Sequence, residues 1–138
     1  MEKSLILETF NLKEQDIRTF SGLNLAYVGD AVYDLIIRTY VTEQGARSVN
    51  ALNKMKVKYV NAKAQSDIIT ALLDELTEEE TDVYKRGKNS KPQSTAKNAT
   101  LSDYHRATGF EALVGYLYLT GKTERLMYLV KKGVETIG

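Results

Sequence analysis

The chain has 138 residues, 43% of them apolar and 27% charged, with a formal net charge of +1, one proline, one histidine and no cysteine or tryptophan. That length fits a single domain, residues 1–138, burying roughly 70% of the surface its unfolded chain exposes. The absence of cysteine excludes disulfides, thiolate zinc sites and cysteine nucleophiles, and a lone His105 excludes multi-histidine metal sites. Metal chemistry would therefore rest on carboxylates and hard cations such as Mg2+ or Mn2+.

In the N-terminal segment, residues 1–20, Leu5, Leu7, Phe10, Leu12, Ile17 and Phe20 fall at the spacing of one or two short helices, and Ser21-Gly22 interrupts them. A long helix is expected from Asn24 to Val41, closed by Gly45. Another begins near Ser48, and near Asn61 it gives way to a helix ending around Leu73. Thr77 and Glu80 have the spacing of a capping box and open a helix that stops at Gly87. Residues 87–100 (GKNSKPQSTAKNAT) form a polar, basic loop holding the only proline. Ser102 caps a helix reaching Thr120, Gly121 ends it, and Thr123 opens the last one. No period-2 alternation persists, so the fold class is all-α. No apolar run approaches the ~20 residues that span a bilayer. MEKSLILETF also lacks the apolar core and cleavage site of a signal peptide, so a cytoplasmic protein is expected.

Two carboxylates stand in apolar surroundings. The Asn24–Val41 helix is apolar nearly all round and is expected to be buried on more than one side, against its own core or a partner subunit. Asp30 sits in its middle, after Gly29, whose presence invites close approach of another backbone. Asp34 has a simple explanation in an i,i+4 ion pair with Arg38. In FEALVGYLYL, Glu111 is the only charge, flanked by Gly109 and Gly115. A carboxylate removed from water needs a cation. The residues leave two readings open: each acid finds its own Lys or Arg or reaches solvent at a cleft edge, or the two share one divalent site suited to phosphodiester hydrolysis.

Leu25-Ala26-Tyr27-Val28-Gly29-Asp30-Ala31-Val32 resembles the signature helix of the ribonuclease III family, and Phe110-Glu111-Ala112-Leu113-Val114-Gly115 resembles that family's second motif. Lys85-Arg86-Gly87-Lys88-Asn89 and Ala107-Thr108-Gly109 are similar to its short bacterial Mini-ribonuclease III branch, which lacks a double-stranded-RNA-binding domain. The resemblance covers Leu23 to the end. It implies an all-helical homodimer whose signature helices meet across the two-fold axis. Asp30 and Glu111 become the catalytic metal-binding carboxylates, with Mg2+ as cofactor and Mn2+ as a substitute. The implied reaction cleaves double-stranded RNA to 5′-phosphate and 3′-hydroxyl ends, in maturation of the large-subunit ribosomal RNA precursor. Leu23, Ala26 and Thr108 stand where longer relatives carry acids, which leaves Asp34 as an outer-shell candidate.

Charge is badly mixed along the chain. Arg47–Lys63 holds five basic residues and no acid, Ala64–Tyr84 seven acids and no base, and Lys85–Arg106 six bases against Asp103. Such blocks steer a polyanion to one face, unless acidic and basic blocks simply pair with each other. The candidate RNA contacts are Lys85, Arg86, Lys88, Asn89, Lys91, Lys97, Asn98 and Arg106, around the polar loop. Lys63 is a further candidate near the scissile phosphate. His105 is expected at the surface, with a phosphate contact as its functional alternative. Two rivals remain: a non-catalytic double-stranded-RNA-binding helical dimer, and an all-α nucleotide pyrophosphohydrolase using Glu78, Glu79 and Asp82.

Overall fold

The computed structural model describes residues 1–45, 48–90 and 100–138, the last range beginning with the backbone alone at residue 100. Its seven α-helices are α1 (Lys3–Thr9), α2 (Gly22–Thr42), α3 (Val49–Val60), α4 (Ala62–Leu72), α5 (Glu78–Lys88), α6 (Thr100–Leu119) and α7 (Thr123–Ile137). Short 3-10 turns at Ile17–Thr19 and Leu73–Glu75 complete the description, and no strand occurs among the described residues. The boundaries follow local chemistry. Ser21, Ser48, Asn61 and Thr77 each accept an amide hydrogen bond as N-caps of α2, α3, α4 and α5. Gly45 and Gly121 take φ of 127° and 73° just past α2 and α6, a conformation that suits glycine.

Two boundaries differ from expectation. The helix α5 runs through Gly87 to Lys88, because this glycine serves packing: a Cβ there would lie 2.5 Å from the Ala112 Cβ. The helix α6 starts at Thr100, so Ser102 lies within its first turn and does not cap it. Most of the expected loop, residues 91–99, lies outside the described residues.

The centre of the molecule is α6, which packs against α2, α4, α5 and α7. Its buried side chains, including Phe110, Leu113, Val114, Tyr116 and Leu117, point all round the helix, as a surrounded helix requires. The Tyr33 ring meets Phe110 edge-on at 5.1 Å, and its hydroxyl donates to the Tyr59 carbonyl at 2.7 Å, tying α2 to α3. The closest contact is between α2 and α6. A Cβ on Gly29 would fall 1.7 Å from the Glu111 carbonyl oxygen, and one on Gly115 would fall 2.0 Å from that of Leu25. These two helices touch backbone to backbone.

A polar clamp holds α7 to α5 and the turn before it. Arg125 donates to both Glu80 oxygens at 2.9 Å and to the Glu75 carbonyl at 2.7 Å. Glu75 also accepts from Tyr128 at 2.6 Å and pairs with Lys132. Burial pushes the Glu80 carboxyl up, but hydrogen bonds from Arg125 and the Thr77 amide outweigh it and hold the acid below its ordinary range.

Gly29→Ala is expected to lower unfolding stability by about 3 kcal/mol or more, since the opposing atom is a helix carbonyl that cannot swing away. Urea denaturation measures this, and a loss under ~1 kcal/mol would contradict so tight a crossing. The clamp makes a separate pH prediction. A carboxyl whose pKa is lower folded than unfolded stabilises the fold above the ordinary carboxylate range, and that contribution fades as pH falls through the folded value. The stability gap between wild type and Glu80→Gln is therefore expected at pH 7 and should close below about pH 4. A gap of constant size in denaturation series across that range would be the opposite result.

Candidate active site

The α2–α6 crossing positions the two carboxylates. Gly29 rests on the Glu111 backbone, so Asp30, the next residue, stands beside the same crossing as Glu111. Their environments differ, and Asp30 takes the solvent-facing alternative. Asp30 is exposed and makes no ion pair among the described residues, and Glu111 is half-buried. The physical reason lies in α2: Tyr27, Leu35 and Tyr40 are 84%, 51% and 43% exposed, so the single chain leaves that side of the helix open. Asp30 lines an open groove of about 810 Å3 there, with Tyr27, Ala31, Leu35 and Met127, while Glu111 does not line it.

Asp34 is the ion pair that the spacing indicates. Its carboxylate accepts from Arg38 Nε at 2.5 Å and lies 3.2 Å from Lys56 Nζ, which fastens α3 to α2. Burial pushes this acid up, yet the two cations hold it below the usual carboxylate range. Thr108 is buried, and its hydroxyl donates to the Tyr104 carbonyl at 3.0 Å. Among the described residues, no three His, Cys, Asp or Glu side chains gather as a metal site. Asp30 and Glu111 would offer a cation two carboxylates, hard oxygen donors of the kind that suits an ion retaining several waters.

The basic candidates divide into three groups. Lys85, Arg86, Lys88 and Asn89 lie at the C-terminal end of α5, where cations also complement the helix dipole. Gly87, in their midst, abuts Gly109 and Ala112, so this end of α5 packs beside the stretch of α6 that carries Glu111. Lys85, Arg86 and Asn89 are exposed, but the Arg86 guanidinium donates to the Phe20 carbonyl and so also braces the start of α2. Arg106 is half-buried, 3.9 Å from Asp103. Lys63 is exposed on α4, with its ammonium 2.8 Å from both Asp67 oxygens, and that hydrogen bonding raises its pKa. Lys91, Lys97 and Asn98 lie outside the described residues.

His105 is a correction. It is only 7% exposed, and neither ring nitrogen has a hydrogen-bond partner, so it presents nothing to a phosphate. Part of the basic block Arg47–Lys63 falls on α3, where Asn50, Asn53, Lys54 and Lys58 are exposed along one side at i, i+3, i+4, i+8 spacing. Glu78, Glu79 and Asp82 sit exposed in the first turns of α5, where acids complement the dipole.

The model of the Ribonuclease III domain matches residues 23–122. The chain belongs to the ribonuclease III family. It is 46% identical to the Mini-ribonuclease 3 of a Thermoanaerobacter species over 99% of both chains. It is also 46% identical to that of Enterococcus faecalis, over 90% of this chain and 96% of the relative. A protein from Fusobacterium nucleatum, known by X-ray crystallography, superposes with a TM-score of 0.78 at 36% identity, covering 88% of this chain and 98% of the other. The ribonuclease III chain described here is an all-helical endoribonuclease of double-stranded RNA. No helix among its described residues is long and apolar enough to cross a membrane.

Replacing the unpartnered imidazole tests its assignment. His105→Leu is expected to leave RNA binding unchanged and to raise unfolding stability by about 1 kcal/mol, because a buried polar group without a partner costs that order of energy. Gel-shift and urea denaturation measure the two effects, and a loss of duplex affinity would restore the phosphate role.

Proposed function

We propose that this chain hydrolyses double-stranded RNA as a homodimer, using Asp30 and Glu111 to hold a divalent cation, Mg2+ or in its place Mn2+. The backbone contact of Gly29 with Glu111 carries the reading, since it stations an exposed aspartate and a half-buried glutamate at one helix crossing. Oxygen donors of this kind serve both cations. When bound, the cation supplies Lewis-acid polarisation of the phosphodiester.

The protein's own part is to hold and orient. Glu111, rooted in the central helix, is the rigid member of the pair, and Asp30 reaches from the exposed side of α2 toward solvent and substrate. Lys85, Lys88 and Asn89 at the end of α5 provide donors for phosphate oxygens and 2′-hydroxyls flanking the scissile bond. Lys91, Lys97 and Asn98 are further candidates for such contacts. Attack by water breaks the bond from phosphorus to the 3′-oxygen, which takes up a proton, leaving 5′-phosphate and 3′-hydroxyl ends. Asp34 is a positioning residue that fixes α3 on α2, and it is not a cation ligand.

Leu23, Tyr27, Ala31 and Leu35 follow one another at four-residue steps and are all exposed. A contiguous apolar stripe of this kind marks an interface, and a second copy applied about a two-fold axis covers both stripes at once. The substrate within this reading is the large-subunit ribosomal RNA precursor, processed in the cytoplasm.

Asp30→Asn and Glu111→Gln are each expected to lower cleavage of end-labelled duplex RNA by more than ~100-fold, beyond what outer-shell changes cost. Helicity and duplex binding should be retained. Chelator should abolish wild-type cleavage and added Mg2+ or Mn2+ restore it, with single-stranded RNA and duplex DNA left uncut. Full activity in either variant removes that carboxylate from the site, and binding without any metal-dependent cleavage reduces the chain to an RNA-binding module.

A further inference from the structure

We propose that α1 is a clasp closing over a second copy of this chain, and this rests on the homodimer reading above. The helix has seven residues, none buried, and no side-chain cap at its N-terminus. A helix so short is not stable in water by its own hydrogen bonds, so it needs a surface to pack on. Its own chain supplies little. Lys3 donates to the Leu119 carbonyl at 2.9 Å and pairs with Glu14 at 2.9 Å, pinning the start of the helix, while Leu5, Phe10 and Leu12 remain 60%, 69% and 56% exposed. Beneath the helix runs an open groove of about 850 Å3, with Leu7, Leu12 and Ile17 on one wall and Tyr118 and Leu119 on the other.

The identity of the occupant follows from where that groove leads and from its charge. Met1, Tyr118 and Thr123 line both this groove and the one on the α2 face, so the two grooves adjoin. A second copy seated on Tyr27, Ala31 and Leu35 therefore arrives at the mouth of the α1 groove. Of the acids along the groove, Glu2 is the one without a salt bridge among the described residues, so the groove offers an RNA backbone no net positive charge. Within the chain, Glu14 and Asp16 are already neutralised by Lys3 and Arg18, leaving no demand for a cationic ligand. What remains is apolar surface, bearing projections at Phe10 and Tyr27 next to hollows. A two-fold axis matches each projection to a hollow on the other copy, and each contact is then made twice. The clasp adds to the α2 interface and extends it around the α6–α7 turn.

The test is sedimentation of the full chain and of a Leu5→Asp, Phe10→Asp double variant over a range of concentrations. Both residues are exposed in the single chain, so circular dichroism should show unchanged folding. The dimer dissociation constant of the variant is expected to rise about 100-fold, the effect of removing apolar side chains at two symmetric contacts. A wild-type chain that sediments as a monomer overturns the homodimer reading itself. A dimer as tight in the variant as in wild type overturns the clasp alone. Hydrogen exchange on the unmodified chain gives a second readout independent of substitution. Amides of residues 5–10 should gain protection with rising concentration at the midpoint of dimerisation, and fast exchange at every concentration refutes the clasp.

Discussion

Two helices in this protein cross with glycine, and no larger residue, at their closest point. At most helix pairs the axes stand apart by the depth of interdigitated side chains. Here Gly29 of α2 and Gly115 of α6 each face a carbonyl of the other helix, at separations that leave no room for a methyl group. Glycine inside a helix lowers its intrinsic stability by about 1 kcal/mol each. The chain retains it at a crossing where the compensating gain is closeness. That closeness brings residues 30 and 111, far apart in sequence, to the same helix crossing. The same device recurs where α5 meets α6 at Gly87 and Gly109, and it carries the basic end of α5 toward Glu111.

Charge is used in two different ways. Acids that the sequence concentrates between α4 and α5 are consumed in structure: Glu80 and Glu75 hold α7, and Asp67 holds Lys63. Asp34 performs the same task between α2 and α3. Several lysines are left over, among them Lys54 and Lys85, which have no ion pair among the described residues. A nearly neutral protein thereby keeps basic surface apart from the acids that its own helices use. Asp30, like Glu78, Glu79 and Asp82, is exposed without a salt bridge among the described residues, and what sets it apart is its place beside the α2–α6 crossing.

Much of this was legible in the primary structure. Caps and stops are local, so Ser48, Asn61, Gly45, Gly121 and the Thr77–Glu80 box located the helices within a residue or two. The close crossing could be anticipated because Gly29 interrupts a helix that otherwise favours large side chains. What escaped was information that depends on which face meets which neighbour. An α2 helix apolar nearly all round does not reveal which side its own chain leaves open, and Asp30 lies on that exposed side. His105 lies among Asp103, Tyr104 and Arg106, a polar context that hid its inward orientation. The Glu80–Arg125 clamp joins residues 45 apart, beyond any local spacing rule.

The most direct test is a double-mutant cycle on Mn2+ affinity, followed by electron paramagnetic resonance without RNA, using wild type, Asp30→Ala, Glu111→Ala and the double variant. One cation shared by both carboxylates requires that either single substitution weaken binding, and that the second add much less than it does alone. Fully additive losses, or an affinity indifferent to one of the two residues, would mean that the crossing of α2 and α6 does not build a common site.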